Sequence, residues 1–403
     1  MKPPRPFSCR RIFSLRLLLV LLVALGGEAF CWTPCTSLPD ALSGFSVDTT
    51  NRRDVLAYFN CVYSASEGYA DRIQWTGGSV SGLQPGTTST TFKNDVLRRV
   101  NFYRALVGLP ADIILNTTKS GKDQDAALLF SRNNAISHFP ATESPAWIGL
   151  SATGIEAAAS SNIAYGYYGP GAVDGYIKDI GDNNVVVGHR RWLLYPRQAE
   201  IGTGDIPGDG NYRETNAIWV IGDFKTAGTS QFVAWPNSGY TPISLLPDRW
   251  SLSYPGADFS LASVAMLKDG VSVPLSVISR TDNGRGDNTI VWEPANLPTS
   301  VSADTTYTVT VSGIAGSGVP MSKTYSVVLF DPSSLGESVT ISGSATPNLS
   351  GGNYTFNAIA QADSYALTVS QGSSIAWLEG AESSPVPQIT TSTATGYLSS
   401  SPR

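Results

Sequence analysis

Apolar residues recur at helical intervals in the first half of the chain and alternate with polar ones in the second. From Lys93, Val96, Val100, Tyr103 and Val107 return every three or four positions, making one apolar helix face that Gly108 and Pro110 stop. A second helix is predicted from about Ser120 to Ala135, with Ala126, Ala127, Leu129 and Phe130 on its buried side. Asp123 near its start suits the helix dipole. Ala152–Ala159 reads as a short alanine-rich helix and Gly171–Ile180 as another, with Ala172, Val173, Tyr176 and Ile177 at matching spacing. Val185-Val186-Val187 and Ile218-Trp219-Val220-Ile221 are β-branched or aromatic and read as strands. Helices around a small sheet predict an α+β or layered α/β/α unit over residues 91–224.

After Gly228 the texture changes. Residues 232–332 carry short strand signals at Phe259–Leu267, Ser272–Ser279, Thr289–Trp292, Thr305–Ser312 and Lys323–Phe330. Thr306 to Val311 alternates polar and apolar strictly, the mark of a half-buried antiparallel strand. A span of about 100 residues of this kind fits an antiparallel β-sandwich, immunoglobulin-like or fibronectin-like, which by itself says nothing of function. Residues 335–403 begin a similar texture and end in Ser, Thr and Pro, so a partial β module with a flexible Ser/Thr-rich tail is expected there. Residues 30–90 show little periodicity and read as an N-terminal arm packed on the helical unit after it.

Charge and cysteine usage bear on location. Lys2, Arg5, Arg10, Arg11 and Arg16 precede an apolar run from Leu17 to Leu25, and Gly27-Glu28-Ala29 offers small residues for cleavage. Residues 1–29 are thus expected to be a secretory signal peptide, its apolar run short for a bilayer span, leaving no transmembrane segment after cleavage. The formal charge of −5 then becomes −9, since five basic residues and one acidic residue leave with the signal. An acidic chain without a basic run argues against nucleic acid as a partner. Cys31, Cys35 and Cys61 survive cleavage, an odd number, consistent with one disulfide and one free thiol in an oxidising, extracellular or envelope compartment.

Only two imidazoles are available for chemistry, His138 and His189, and 51 residues separate them. Imidazole is both the usual zinc ligand and the usual proton shuttle, so the fold must decide whether they meet. Ser161 lies in no Gly-x-Ser-x-Gly elbow and has no evident acid partner, which disfavours a nucleophilic role. Asp174, Asp179 and Asp182 read as solvated carboxylates. Arg190 and Arg191 suit either an anionic ligand or a carboxylate that pins the chain. Arg285-Gly286-Asp287 matches an integrin-recognition tripeptide but sits among turn residues. Asn116, Asn348 and Asn353 head Asn-x-Ser/Thr sequences that matter only in a glycosylating host.

Four segments occur in an order that resembles the CAP superfamily (cysteine-rich secretory, antigen 5, pathogenesis-related 1), in particular its bacterial branch. They are Asn101-Phe102-Tyr103-Arg104 through Gly108-Leu109, Ser137-His138, Ser161-Asn162-Ile163-Ala164 and Gly188-His189-Arg190, the last followed by Ile201-Gly202-Thr203-Gly204. The resemblance covers about a third of the chain and implies an α/β/α sandwich with a central cleft. It implies cleft residues His138, His189, Asn162, Ser161 and Arg190, and a weakly held divalent cation such as zinc on His138, His189 and Glu156. The family's cleft glutamate is replaced here by Ser161, and Glu156 is the nearest substitute. The resulting expectation is an exported binding or interaction protein for a small ligand, a lipid or an envelope component. The competing expectation is a metal-dependent hydrolase of peptide or envelope polymer, so enzymatic activity stays open. A third makes the β modules adhesive spacers.

Overall fold

The computed structural model describes residues 41–280 and 284–333, with the backbone of four short strands further on. The expected signal segment, Cys31, Cys35 and most of residues 335–403 lie outside the described residues. The protein is a mixed α+β chain. Helix α1 (Arg52–Tyr58) is capped by Asn51 and continues as a π turn to Tyr63. A hairpin of β1 (Thr76–Ser79) and β2 (Gln84–Thr87) comes next. Helix α2 (Thr90–Leu106) starts where Ser89 Oγ accepts from the Phe92 amide, and its second half is buried on every side. Then come β3 (Ile114–Leu115), α3 (Thr117–Asn133), α4 (Ala152–Ser160), β4 (Ser161–Tyr165), α5 (Gly169–Lys178) and α6 (Gly188–Leu193). Strands β5 (Glu200–Ile201), β6 (Gly204–Ile206) and β7 (Thr215–Trp219) complete this half.

The sheet here is small, antiparallel and ordered β4-β7-β6, with β3 and β5 paired in parallel beside it. Helix α3 lies directly against it. A Cβ on Gly204 would come within 2.1 Å of the α3 backbone at Asp123, so only glycine permits that approach. The strand predicted at Val185–Val187 does not form. Residues Asp182–Asn184 make a 3₁₀ turn and Val187 takes φ 46°, leading into α6. Three β-branched residues between Asn183-Asn184 and Gly188 lie in turn chemistry, and none of the described strands pairs with them.

The second half contains β8 (Val233–Trp235), β9 (Gly239–Pro242), β10 (Trp250–Ser253), β11 (Ser263–Lys268), β12 (Val271–Ser272), β13 (Leu275–Ser279), β14 (Thr289–Pro294), β15 (Thr305–Ser312) and β16 (Ser322–Phe330). They build two sheets, β13-β14-β10-β8 and β12-β11-β15-β16-β9, antiparallel except for the β9–β16 pair. Trp250, Leu252 and Trp292 from one sheet share a core with Met266, Tyr307, Val309, Val327 and Leu329 from the other. Alternation made β15 legible: Tyr307, Val309 and Val311 are buried and their neighbours are not. Strands β8 and β10 were not anticipated, because nearly every residue in them is buried and no alternation shows. Further on, Ile341–Ser342, Asn353–Phe356, Trp377–Glu379 and Gln388–Thr390 form a four-stranded antiparallel sheet.

No gap in the core separates the two halves. Val233, Trp235, Leu245 and Phe330 belong to the same buried cluster as Val55, Val100, Tyr103 and Leu193. The rings of Tyr103 and Trp235 meet edge to face at 5.2 Å. The N-terminal segment ties down both halves: Asn101 Nδ2 donates to the Leu42 carbonyl at 2.9 Å, and the Arg52 guanidinium lies 4.6 Å over Phe330. Cys61, within this segment, is disulfide-bonded.

Candidate functional site

The site is built where α5 stops. Asp179, its C-cap, takes a left-handed conformation (φ 51°) that turns its carboxylate back into the protein toward α6. Oδ2 accepts the amides of His189 at 3.1 Å and Arg190 at 3.4 Å, while Oδ1 meets His189 Nδ1 at 2.7 Å. The carboxylate has no exposure and the imidazole keeps 23% of its own. An ionised carboxylate can only accept, so the neutral ring carries its proton on Nδ1 and Nε2 keeps a lone pair. Asp179 is therefore not the solvated residue that its sequence neighbourhood suggested.

The surroundings hold this arrangement on three sides. Tyr176 lies beside the His189 ring with centroids 5.2 Å apart, and Asn162 Nδ2 donates to the His189 carbonyl at 3.0 Å. Arg190 is fully buried and donates to the carbonyls of Ile177 (2.6 Å) and Lys178 (3.1 Å) and to Ser251 Oγ (2.9 Å). Burial pulls its pKa down to about 10, so it stays cationic at neutral pH. Arg104 in α2 secures the far end of α6 through the carbonyls of Leu193 (3.0 Å) and Tyr195 (2.9 Å). Arg190 and Arg104 thus pin the chain through carbonyls and a hydroxyl.

His189 opens on a cup of about 140 Å³ whose walls include Ile163, Tyr165, Tyr167, Tyr176 and Ile180. That is close to the roughly 150 Å³ of an engineered apolar cavity that accepts benzene. The cup is mainly aromatic and aliphatic, with Asp179, Asn184 and the His189 imidazole as its polar lining.

The other expected cleft residues are distributed differently. His138 stands at the surface with Nδ1 at 2.8 Å from the Ala158 carbonyl, which again obliges Nδ1 to donate. Protein crowding its ring pulls its pKa below 6.5, the Ala158 contact works against this, and charge on His189 and on Arg285 adds to it. The two imidazoles are thus close enough to sense each other electrostatically, yet the cup's walls do not include His138. Ser161 is buried and donates to Asp123 Oδ1 at 2.7 Å. Asn162 is buried behind the His189 backbone. Glu156 points away: both of its oxygens lie 2.7 Å from Lys122 Nζ. The set His138, His189 and Glu156 does not fit a shared metal ion, and among the described residues no group of three or more His, Cys, Asp or Glu is placed to hold one.

Asp174, also expected to be solvated, accepts from Tyr103 (2.7 Å), Tyr63 (3.0 Å) and the buried Arg99 (2.5 Å). The Arg285-Gly286-Asp287 turn is folded onto the site. Arg285 lies against Gly188, where a Cβ would come 2.7 Å from its Cδ, and the Asp287 carbonyl accepts from Arg191 at 2.9 Å. One signal could have singled out Asp179: an acidic residue at a helix C-terminus faces the wrong end of the dipole, so a dedicated partner must hold it. Among the described residues no helix is long and apolar enough to cross a membrane. No protein-family model matches the chain, and no curated protein matches it.

Proposed function

We propose that this is an exported binding protein of the CAP type, with an α/β/α first half and an immunoglobulin-like or fibronectin-like second half. Its ligand is a small molecule presenting a ring-sized apolar group and a hydroxyl or N–H. The observation that carries this reading is the oriented imidazole in the aromatic cup: Asp179 fixes the Nδ1–H form, so Nε2 accepts a hydrogen bond from whatever fills the space. The four ordered segments and the basic, then apolar, residues 1–29 support family and export. A test uses phenol and anisole as probes in an NMR titration. Phenol should move the His189 ring signals saturably, anisole should bind more weakly for want of a donor, and His189→Ala should lose the difference. Equal, unsaturable shifts with both probes would refute the reading.

One observation favours hydrolysis as a second reading, since a carboxylate-oriented imidazole is the arrangement that general-base chemistry uses. The metal-assisted form of that idea lacks its carboxylate, because Glu156 is engaged by Lys122. Elemental analysis of wild type and His189→Ala decides it: equal metal content in the two removes the metal-assisted form.

A further inference from the structure

We infer that Arg249, in the second half of the chain, is a positioning residue for His189, which makes the two-sheet unit a working part of the site and not a spacer. The inference deepens the proposed binding function but is read out on the imidazole itself, with no ligand present. Arg249 directly precedes β10, whose Trp250 is wholly buried, so its backbone is firmly placed. Its Nη1 donates to the carbonyls of Asp179 (3.2 Å) and Gly181 (2.6 Å), and its Nε to Glu293 Oε1 (2.8 Å). Those two carbonyls bracket the turn that leaves α5. Within it Asp179 has φ 51°, a left-handed conformation that a side-chain-bearing residue keeps only when its neighbours hold it, while Gly181 (φ 101°) takes its own freely.

The chain of cause is short. Arg249 holds the Asp179 backbone, the backbone aims the carboxylate, and the carboxylate selects the protonated nitrogen of His189. Two further contacts run the same way across the junction: Ser251 Oγ receives Arg190, and the Asp287 carbonyl receives Arg191. Three successive residues of α6, His189 to Arg191, are thus held directly or through Asp179 by groups from residues 249–287.

The chain has two histidines, so long-range ¹H–¹⁵N spectra at about pH 8.5, well above the ordinary imidazole range, show two imidazoles, assigned with His138→Gln. In wild type both should carry the proton on Nδ1. In Arg249→Met, which keeps the apolar stem, His189 should move toward the Nε2–H form that a free histidine favours. His138 should stay unchanged and certify the fold. Arg249→Lys, which can still reach a carbonyl, should restore part of the wild-type pattern. An unchanged His189 beside an unchanged His138 in Arg249→Met overturns the inference. Should the methionine variant not fold, Glu293→Ala decides: releasing Nε should shift His189 the same way by less, and no shift overturns it. Absence of phenol binding would count against the proposed function and leave this result standing.

Discussion

At the scale of single residues, the site half of the molecule rests on carboxylates kept out of water. Asp123 is fully buried and accepts from Ser161 Oγ and from the Trp219 amide at 3.0 Å; burial raises its pKa despite both bonds. Ser161→Ala would leave that oxygen without a donor, costing about 1–3 kcal/mol of unfolding free energy in urea titrations. Ser161→Glu would place a second carboxylate against the first in a closed space and should cost more than the alanine. Asp205 makes a sharper case. Burial pushes it up to about 6, against donors from Gly169, Asn216 and Thr203 and the charge of Lys93. A carboxyl that binds its proton more tightly when folded contributes stability that is complete below pH about 3.8 and is lost as pH rises through about 6. The span corresponds to about 3 kcal/mol at most. Stability should therefore fall between pH about 4 and 6, and Asp205→Asn should flatten that slope in denaturant titrations across the window.

At the scale of elements, Asn116 shows how one side chain serves both a helix and the sheet beside it. Its Oδ1 accepts the Lys119 amide as the N-cap of α3, and its Nδ2 donates to Glu200 Oε1 at 2.7 Å. Asn116→Ala should cost about 1–2 kcal/mol, read as a lower melting temperature. The second of these bonds engages the amide nitrogen that a glycan would need, so mass spectrometry of folded protein from a glycosylating host should find Asn116 unmodified. Helices α2 to α5 were legible within a few residues because each keeps an apolar face of period 3.6. What the residues do was less legible. Asn101 and Arg104 stood out as a motif, but that Asn101 clasps Ile113 and Arg104 the end of α6 depends on chain segments far away. Asp179 was hidden for the same reason, since its partner lies ten positions on, across a turn with no periodic pattern. His189 was visible as one of two imidazoles, whereas Tyr165, Tyr167 and Tyr176 became wall residues only once β4 and α5 were set side by side.

At the scale of the whole molecule, the junction between the halves decides how the protein unfolds. Modules linked as beads would melt separately and each would fold alone. Here Trp235, from the first strand of the two-sheet unit, is completely buried against Tyr103 of α2, and Phe330 from its last long strand lies in the same cluster as α1. A chain ending at residue 231 would expose the face that Val233, Trp235, Leu245 and Phe330 cover. Burying large side chains of this kind stabilises by about 1.5–3 kcal/mol each, and a domain's whole margin is about 5–15 kcal/mol. Removing four such contacts, together with the Arg249 anchor of the turn after α5 and the Ser251 anchor of α6, uses up that margin. Residues 41–231 expressed alone should bind a hydrophobic dye and show no cooperative transition. Over residues 41–333, calorimetry should record one transition whose calorimetric and van't Hoff enthalpies agree. Two resolved transitions, or a folded 41–231 fragment with the wild-type His189 ring signals, would show that the halves are independent and that the site needs only the first.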